Sequence, residues 1–266
     1  MRLGIIASAV MGALLLAPGG GVNAQDMIEQ LDLKSDEFTK ADMTRDDVVA
    51  AIAAAGAGVA DLSGKRLNGL DLSGLDLRKL KLQSARINDA KFVGSNLDGV
   101  VLDQAWALKS DFSNASLKGA SLFSTQFRDA KMDGADFEGA RAAADFARAS
   151  LKGANFKNAD LSADMKNQSM GLMRGAFRSA DLEGASFENA NMARVMMEYA
   201  TLKDANLRDA NLMGSELGGA DLTGADVAGA NFNEADVNSA RLLSLRGKDS
   251  ARNFDTVKNL DRAYVE

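Results

Sequence analysis

The chain has 266 residues, a formal net charge of −6, and neither histidine nor cysteine. That charge argues against direct nucleic-acid binding, which needs a basic face to displace phosphate counterions. The two missing residue types exclude the commonest general base, a thiolate nucleophile, disulfide staples and the usual zinc or copper ligands, so stability must come from packing and backbone pairing.

Arg2 gives a short positive start, Leu3 to Ala17 is apolar, Pro18 and three glycines break the run, and Val22-Asn23-Ala24 fits a small-residue cleavage site before Gln25. The apolar stretch is shorter than the ~20 residues that span a bilayer as a helix. Residues 1–24 therefore read as a signal peptide, and no later segment is long and apolar enough to cross a membrane. The mature protein is expected in the periplasm or outside the cell. Residues 25–59 are expected to form an N-terminal arm and a capping helix. Over 25–43, acidic and apolar residues mix as in an extended arm or short helix. Over 44–55, Thr44 is a candidate N-cap with Asp47 as its partner, and Val48, Val49 and Ile52 make an apolar stripe before Gly56.

From Leu62 a large apolar residue recurs every five positions, with Leu67, Leu72, Leu77, Leu82, Ile87, Phe92, Leu97 and Leu102 following. The series runs to Leu242 and has thirty-six centres, of which only Ala107 and Ala142 are not Leu, Ile, Val, Met or Phe. Two residues before each centre is a mostly alanine column (Ala180, Ala185, Ala190, Ala220, Ala225), and between the two lies a polar residue, often Asp or Asn. On an α-helix five residues advance about 500°, so the apolar column would wander around every side. On a flat strand an odd spacing sends alternate centres to opposite faces. The pattern closes only if the chain turns once per unit, always the same way. Gly and Asn two residues after the centre (Gly64, Gly69, Gly224) suit such a corner.

The unit Ala-Asp/Asn-Leu/Phe-x-x, repeated across residues 60 to 244, resembles the pentapeptide-repeat family. The resemblance implies an all-β solenoid, a right-handed quadrilateral pentapeptide-repeat β-helix with four repeats to a coil. Nine coils then occupy residues 60–246, with short helical caps at both ends. At ~4.8 Å per coil the rod would be about 40 Å long. Some members of the family join end to end through their C-terminal segments. Others imitate duplex DNA with an acidic rod and bind DNA gyrase, protecting it from quinolones.

Two phase slips interrupt the register. Fourteen residues separate Phe137 from Leu151 where fifteen are expected, and eleven separate Leu161 from Leu172 where ten are expected. Bends or loops are predicted near 142–149 and 162–171, and Asp164, Met165, Lys166, Asn167 and Gln168 are a candidate binding loop. In residues 247–266, Phe254, Val257, Leu260 and Tyr264 recur at spacings of three, three and four. That spacing predicts an amphipathic capping helix with Ser250 as candidate N-cap. The same four residues are the candidate end-to-end contact of a homodimer.

Stacking one coil on the next predicts surface ladders, one of Asn191, Asn211 and Asn231, another of Asp181, Thr201, Asp221 and Arg241. Asp and Asn at this position belong to the repeat, where they satisfy corner amides. No Gly-x-Ser-x-Gly elbow and no calcium-binding nonapeptide occurs, so no catalytic residue, metal or cofactor is assigned. Six acids (Asp209, Glu216, Asp221, Asp226, Glu234, Asp236) lie between 209 and 240 without a base, and Arg78, Lys79, Lys81, Arg86 and Lys91 surround the single acid Asp89. A charged interaction surface is expected from that asymmetry. Trp106 takes a polar slot, facing outward or turned inward beside the undersized centre Ala107, and Met196 takes another, with Tyr199 and Met173 expected near it as a contact patch. The function these features favour is a non-enzymatic, exported interaction or structural rod of the bacterial cell envelope, with a protein partner. A gyrase-binding DNA mimic is the alternative, opposed by the signal peptide because gyrase is cytoplasmic. A polysaccharide-active β-helix enzyme comes third, since the chain leaves its repeat only briefly.

Overall fold

The computed structural model describes residues 31–163 and 173–265. The chain divides after Leu33 into two units; only residues 31–33 of the first are described, and residues 34–266 form the body considered below. The expected signal peptide, the candidate loop Asp164 to Gln168 and the expected centre Leu172 lie outside the described residues.

Each five-residue unit turns one corner. The carbonyl of the centre accepts the N–H three residues on, as from Lys65 to Leu62 (3.1 Å) and from Ala115 to Phe112 (3.0 Å). In nearly every unit the residue two past the centre has positive φ, 69° at Gly64 and 56° at Asn114, with Lys79, Ala144 and Ala163 the exceptions. A type II turn demands that sign at its third position, which explains the Gly, Asn, Asp and Ser found there. The residue before each centre makes one parallel bridge to each neighbouring coil. Among the described residues only Ala60–Asp61 (β1) and Leu80–Lys81 (β2) lengthen into strands, paired Ala60 with Leu80 and Asp61 with Lys81.

These bridges stack into four sides. The first runs from Asp61 through Arg141 and Asp160 to Asn191, Asn211, Asn231 and Arg252. The second runs from Arg66 through Arg86, Trp106, Asp145, Ala176, Met196, Glu216 and Asp236 to Lys258. The third links Asp71 to Asp181, Thr201, Asp221, Arg241 and Tyr264, and the fourth links Asp76 to Asp226 and Arg246. Nine complete coils result, and both predicted ladders form. The Asn ladder is hydrogen-bonded throughout: each Nδ2 donates to the Oδ1 one coil below, Asn211 to Asn191 at 3.1 Å and Asn231 to Asn211 at 3.2 Å. The repeat's Asp and Asn also accept corner amides, as Asp71 does from Ser73 (3.0 Å).

All the centres on these sides point to one interior and are buried, with the alanine column beside them. Through coils four to six the centres of the second and fourth sides are phenylalanines. Phe127, Phe146 and Phe177 stack at 5.2 and 4.7 Å, and Phe137, Phe156 and Phe187 at 4.5 and 5.0 Å. Those spacings equal the separation of hydrogen-bonded strands, so flat rings stack without strain. Edge contacts, such as Phe137 to Phe146 at 6.0 Å, tie the two columns across the axis.

The ring columns span both slips, which fall on the same corner of successive coils. In coil five only three residues lie between the bridges at Arg141 and Asp145, and Ala144 N–H closes a tight turn onto Ala142 C=O (2.8 Å). In coil six the next bridge after Asp160 is Ala176. Phe177, not Leu172, therefore supplies the centre that follows Leu161, and the slip is a longer insertion than the five-residue phase indicates. Its returning end lies against the rod: Gly175 N–H donates to Leu161 C=O (2.9 Å) and Arg174 Nη1 to Arg194 C=O (2.9 Å).

At the N-terminal end, Asp36–Thr39 (α1) and Arg45–Ala54 (α2) precede the first coil. The predicted capping box of Thr44 and Asp47 is present in both directions. Val48 is buried and Ile52 packs on the core, but Val49 is 43 % exposed, because neighbouring residues on a helix face different directions. Arg45 fastens α2 to the coil through the carbonyls of Asp71 (2.6 Å) and Ser73 (3.1 Å).

The C-terminal end differs from expectation. No amphipathic α-helix forms, and Ser250 is not an N-cap. The solenoid continues instead with units of six residues, Arg252, Lys258 and Tyr264 bridging Asn231, Asp236 and Arg241. Each unit opens on a residue at positive φ (Gly247, Asn253, Asn259) and makes one 3-10 turn, over Lys248–Ser250, Phe254–Thr256 and Leu260–Arg262. Ala251, Phe254, Val257, Leu260 and Ala263 pack on the ninth coil, so a wider tenth coil serves as the lid.

Candidate interaction surface

A charge run in the sequence does not become a charged face. One coil visits four sides in turn, so only residues a full coil apart share a column. Asp221 lies on the third side between Lys203 (3.5 Å) and Arg241 (3.6 Å), Asp226 on the fourth beside Arg208 (3.3 Å), and Glu234 beside Lys258 (3.3 Å). Burial acts to raise the Asp221 pKa, but Thr223 and Lys203 hold it below the ordinary value. Asp209 sits at a corner with φ 56°. The basic cluster disperses likewise: Arg78 pairs with Asp76 (2.6 Å), Lys81 with Asp61 (3.5 Å), Arg86 with Glu37, and Lys79 donates to Gly56 C=O.

The residues expected to form a contact patch are only partly brought together. Trp106 stays outward, but Phe38 of α1 covers it edge-on at 5.3 Å. Met173 turns to Ser124 on coil four, with Sδ 3.9 Å from Oγ, and so lies away from Met196 on coil seven. The structure does bring together Met196, Glu216 and Asp236 as consecutive members of the second side, with Tyr199 at the adjoining corner. Tyr199 is 72 % exposed and has φ 61°, a sparsely populated conformation for a bulky residue. Its ring lies over Gly219, where a Cβ would meet ring atoms at 2.7 Å. Together with Glu198, Glu216, Asp236 and Ser239 it borders a shallow groove of about 320 Å³ floored by Gly218 and Gly219.

Two of the three groove carboxylates are braced. Arg174, returning from the insertion, reaches Glu216 at 2.9 Å, and Arg178 reaches Glu198 at 2.9 Å. Asp236 accepts from Asn238 N–H (2.9 Å) and from Asn259 Nδ2 of the six-residue coil (2.8 Å). Among the described residues no group of three acidic side chains has the geometry of a metal site. No helix among them is long and apolar enough to cross a membrane. Reading the sequence missed Phe38, Asn68 and Asn88; the last two are one coil apart, the signal that marks a shared corner.

The family profile described as pentapeptide repeats (8 copies) matches residues 95–139, 142–163, 176–209 and 210–242, half of the chain. The chain belongs to the pentapeptide-repeat family. The break in that match, from 163 to 176, coincides with the insertion of coil six. Among solved structures, QnrB1, a plasmid-mediated fluoroquinolone resistance protein, is similar in fold, with 16 % identity, TM-score 0.53, and coverage of 77 % of this chain and 91 % of that one. HetL, a pentapeptide repeat protein involved in heterocyst differentiation regulation from the cyanobacterium Nostoc sp. strain PCC 7120, matches with 24 % identity, TM-score 0.48, and coverage of 79 % and 94 %. A search of curated proteins finds none that matches. The fold is thus the family's right-handed quadrilateral β-helix.

Proposed function

We propose that this chain is a non-enzymatic, exported interaction rod of the bacterial cell envelope, contacting a protein partner through the second side of coils seven to nine. The observation that carries the proposal is Tyr199, an exposed aromatic ring held at positive φ beside a groove whose carboxylates are oriented by neighbouring cations and amides. A solvated corner has no need of so bulky a residue in that conformation, whereas contact surfaces are enriched in tyrosine. Export is supported by the apolar leader ending at Ala24. The carboxylates between 209 and 240 are spread over several sides and largely paired, which gives the DNA-mimic reading no acidic face to rest on. End-to-end pairing is supported by the half-buried Phe254, Val257 and Leu260 and the exposed Tyr264 of the last coil.

The test is a photo-crosslinking amino acid placed at position 199 in the native cell, with position 63 as control, after fractionation and sequencing of the mature N-terminus. A discrete adduct from 199 alone, on a chain that starts at Gln25, is expected. A chain that keeps Met1 in the cytoplasm removes the envelope assignment. Identical adduct patterns at 199 and 63 remove the surface.

A further inference from the structure

At the other end of the rod the second side carries a different feature. The positions following the centres of coils one and two are Asn68 and Asn88, only 5 % and 3 % exposed. Each asparagine oxygen accepts a backbone N–H of the coil above: Asn68 Oδ1 from Asn88 (3.0 Å) and Asn88 Oδ1 from Leu108 (3.0 Å). Only an oxygen can accept those protons, so both Nδ2 groups are turned outward by the rod itself. They donate to the carbonyls of the arm that crosses them. Asn68 reaches Glu37 C=O (3.2 Å) and Lys40 C=O (3.0 Å), and Asn88 reaches Phe38 C=O (3.3 Å). Ala41 adds an antiparallel bridge to Leu67.

Side chains complete the fit. Arg86 pairs with Glu37 and lies over the Phe38 ring at 5.6 Å, while Trp106 takes the same ring edge-on. Arg66 holds Asp42 at 2.5 Å. Backbone carbonyls, a carboxylate and an aromatic ring of one helical turn are thus read by preorganised groups, and strand addition enters only at Ala41. Coils two to nine are bridged to neighbours on both sides along their length, but the arm is held by one bridge and these side chains.

We propose that this surface is a peptide-binding cradle, kept closed in cis by residues 36–42. It takes in trans a segment of a partner protein that forms the same short helical turn, in which a carboxylate residue immediately precedes an aromatic one. Charge complementarity and the arm's own chemistry identify the occupant: the two bases Arg66 and Arg86 meet Asp42 and Glu37. The cradle is separate from the Tyr199 surface and does not depend on export.

Trp106 is the sole tryptophan and reports on the site. The experiment titrates a peptide with the sequence of residues 34–43 into full-length chain carrying Glu37→Ala and Phe38→Ala, whose folding is checked by circular dichroism. A saturable change in Trp106 emission is expected. It should be weaker by roughly tenfold or more in the native chain, where the tethered arm competes at high effective concentration. A peptide with alanine in place of the phenylalanine should lose as much. Absence of saturation with the folded double variant overturns the cradle, as does equal binding by the alanine peptide. A concentration-dependent dimer of the native chain that Phe38→Ala abolishes assigns the cradle to a second copy's arm and overturns the partner peptide.

Discussion

Phe146 is the place to test whether the ring columns hold the irregular coils together. It is fully buried, stacked between Phe127 and Phe177 at 5.2 and 4.7 Å, and edge-on to Phe137 and Phe156 at 6.0 and 5.9 Å. Replacing a buried phenylalanine by alanine costs about 3–5 kcal/mol through lost transfer energy and cavity formation. Each stacked pair is worth about 0.5–1.5 kcal/mol beyond area burial. Rigid coils above and below leave little room for collapse, so Phe146→Ala should destabilise by about 5 kcal/mol. Phe146→Leu, which nearly fills the site, should cost about 2 kcal/mol. Solenoid stability is a sum of coil and nearest-neighbour terms, so the deficit concentrates at the interfaces of coil five with coils four and six. Urea unfolding followed by Trp106 emission, which reports coil three, and by far-UV circular dichroism, which reports the whole chain, reads both effects. In the native chain the two transitions should coincide, and in Phe146→Ala they should separate. A loss below about 2 kcal/mol with superimposable transitions would refute the claim that these rings couple the two halves of the rod.

Three further outcomes are expected. Without histidine, stability should be flat between roughly pH 5 and 9. It should then fall in acid, because Asp76 is held at about 2 by Arg78, and Asp42 and Asp71 lie below the ordinary 3.8; the unfolded chain takes up these protons first, so a melting series should decline between roughly pH 4 and 2. Gly247→Ala should loosen the last coil: φ is 70° and the new Cβ would lie 2.5 Å from Ala228 Cβ and 2.8 Å from its backbone N, so limited trypsin digestion should release the C-terminal segment faster than in Asn253→Gly. Asn211→Asp sets a carboxylate oxygen against Asn191 Oδ1 in place of a donor, and chemical denaturation should show a loss of about 1–2 kcal/mol that unaltered stability would contradict.

The regular coils were legible because one corner per five residues forces one centre, one small neighbour and one bridging residue to recur. Thr44 and Asp47 were legible because a capping box is local. The insertion was misjudged for a specific reason: Leu172 falls five residues before Phe177, in phase with a repeat that the bridge from Asp145 to Ala176 skips. At the C-terminus Phe254 and Leu260 are six apart, as are Ala251, Val257 and Ala263, and the bridging residues Arg246, Arg252, Lys258 and Tyr264 keep the same spacing. Tested against helical spacing alone, the same residues also satisfy three, three and four. Charge was misread because a linear run carries no information about sides, and Met173 because its position depends on how the insertion returns.

The same geometry limits where recognition can be encoded. Inside the rod, the centres and the alanine column are committed to packing. Only the bridging residue and the two corner residues of each unit face outward, and their lateral neighbours come one coil above and below. A binding site on such a scaffold must therefore be a column. The second side holds two, separated by the irregular coils: Asn68 and Asn88 beneath the arm at one end, and Met196, Glu216 and Asp236 beside Tyr199 at the other. The insertion of coil six falls between them along the chain, and its described end sends Arg174 to the farther one. A coil shifted by one unit would carry each of these residues to a different side, so the phenylalanine columns that keep coils four to six in register also keep both columns on one side.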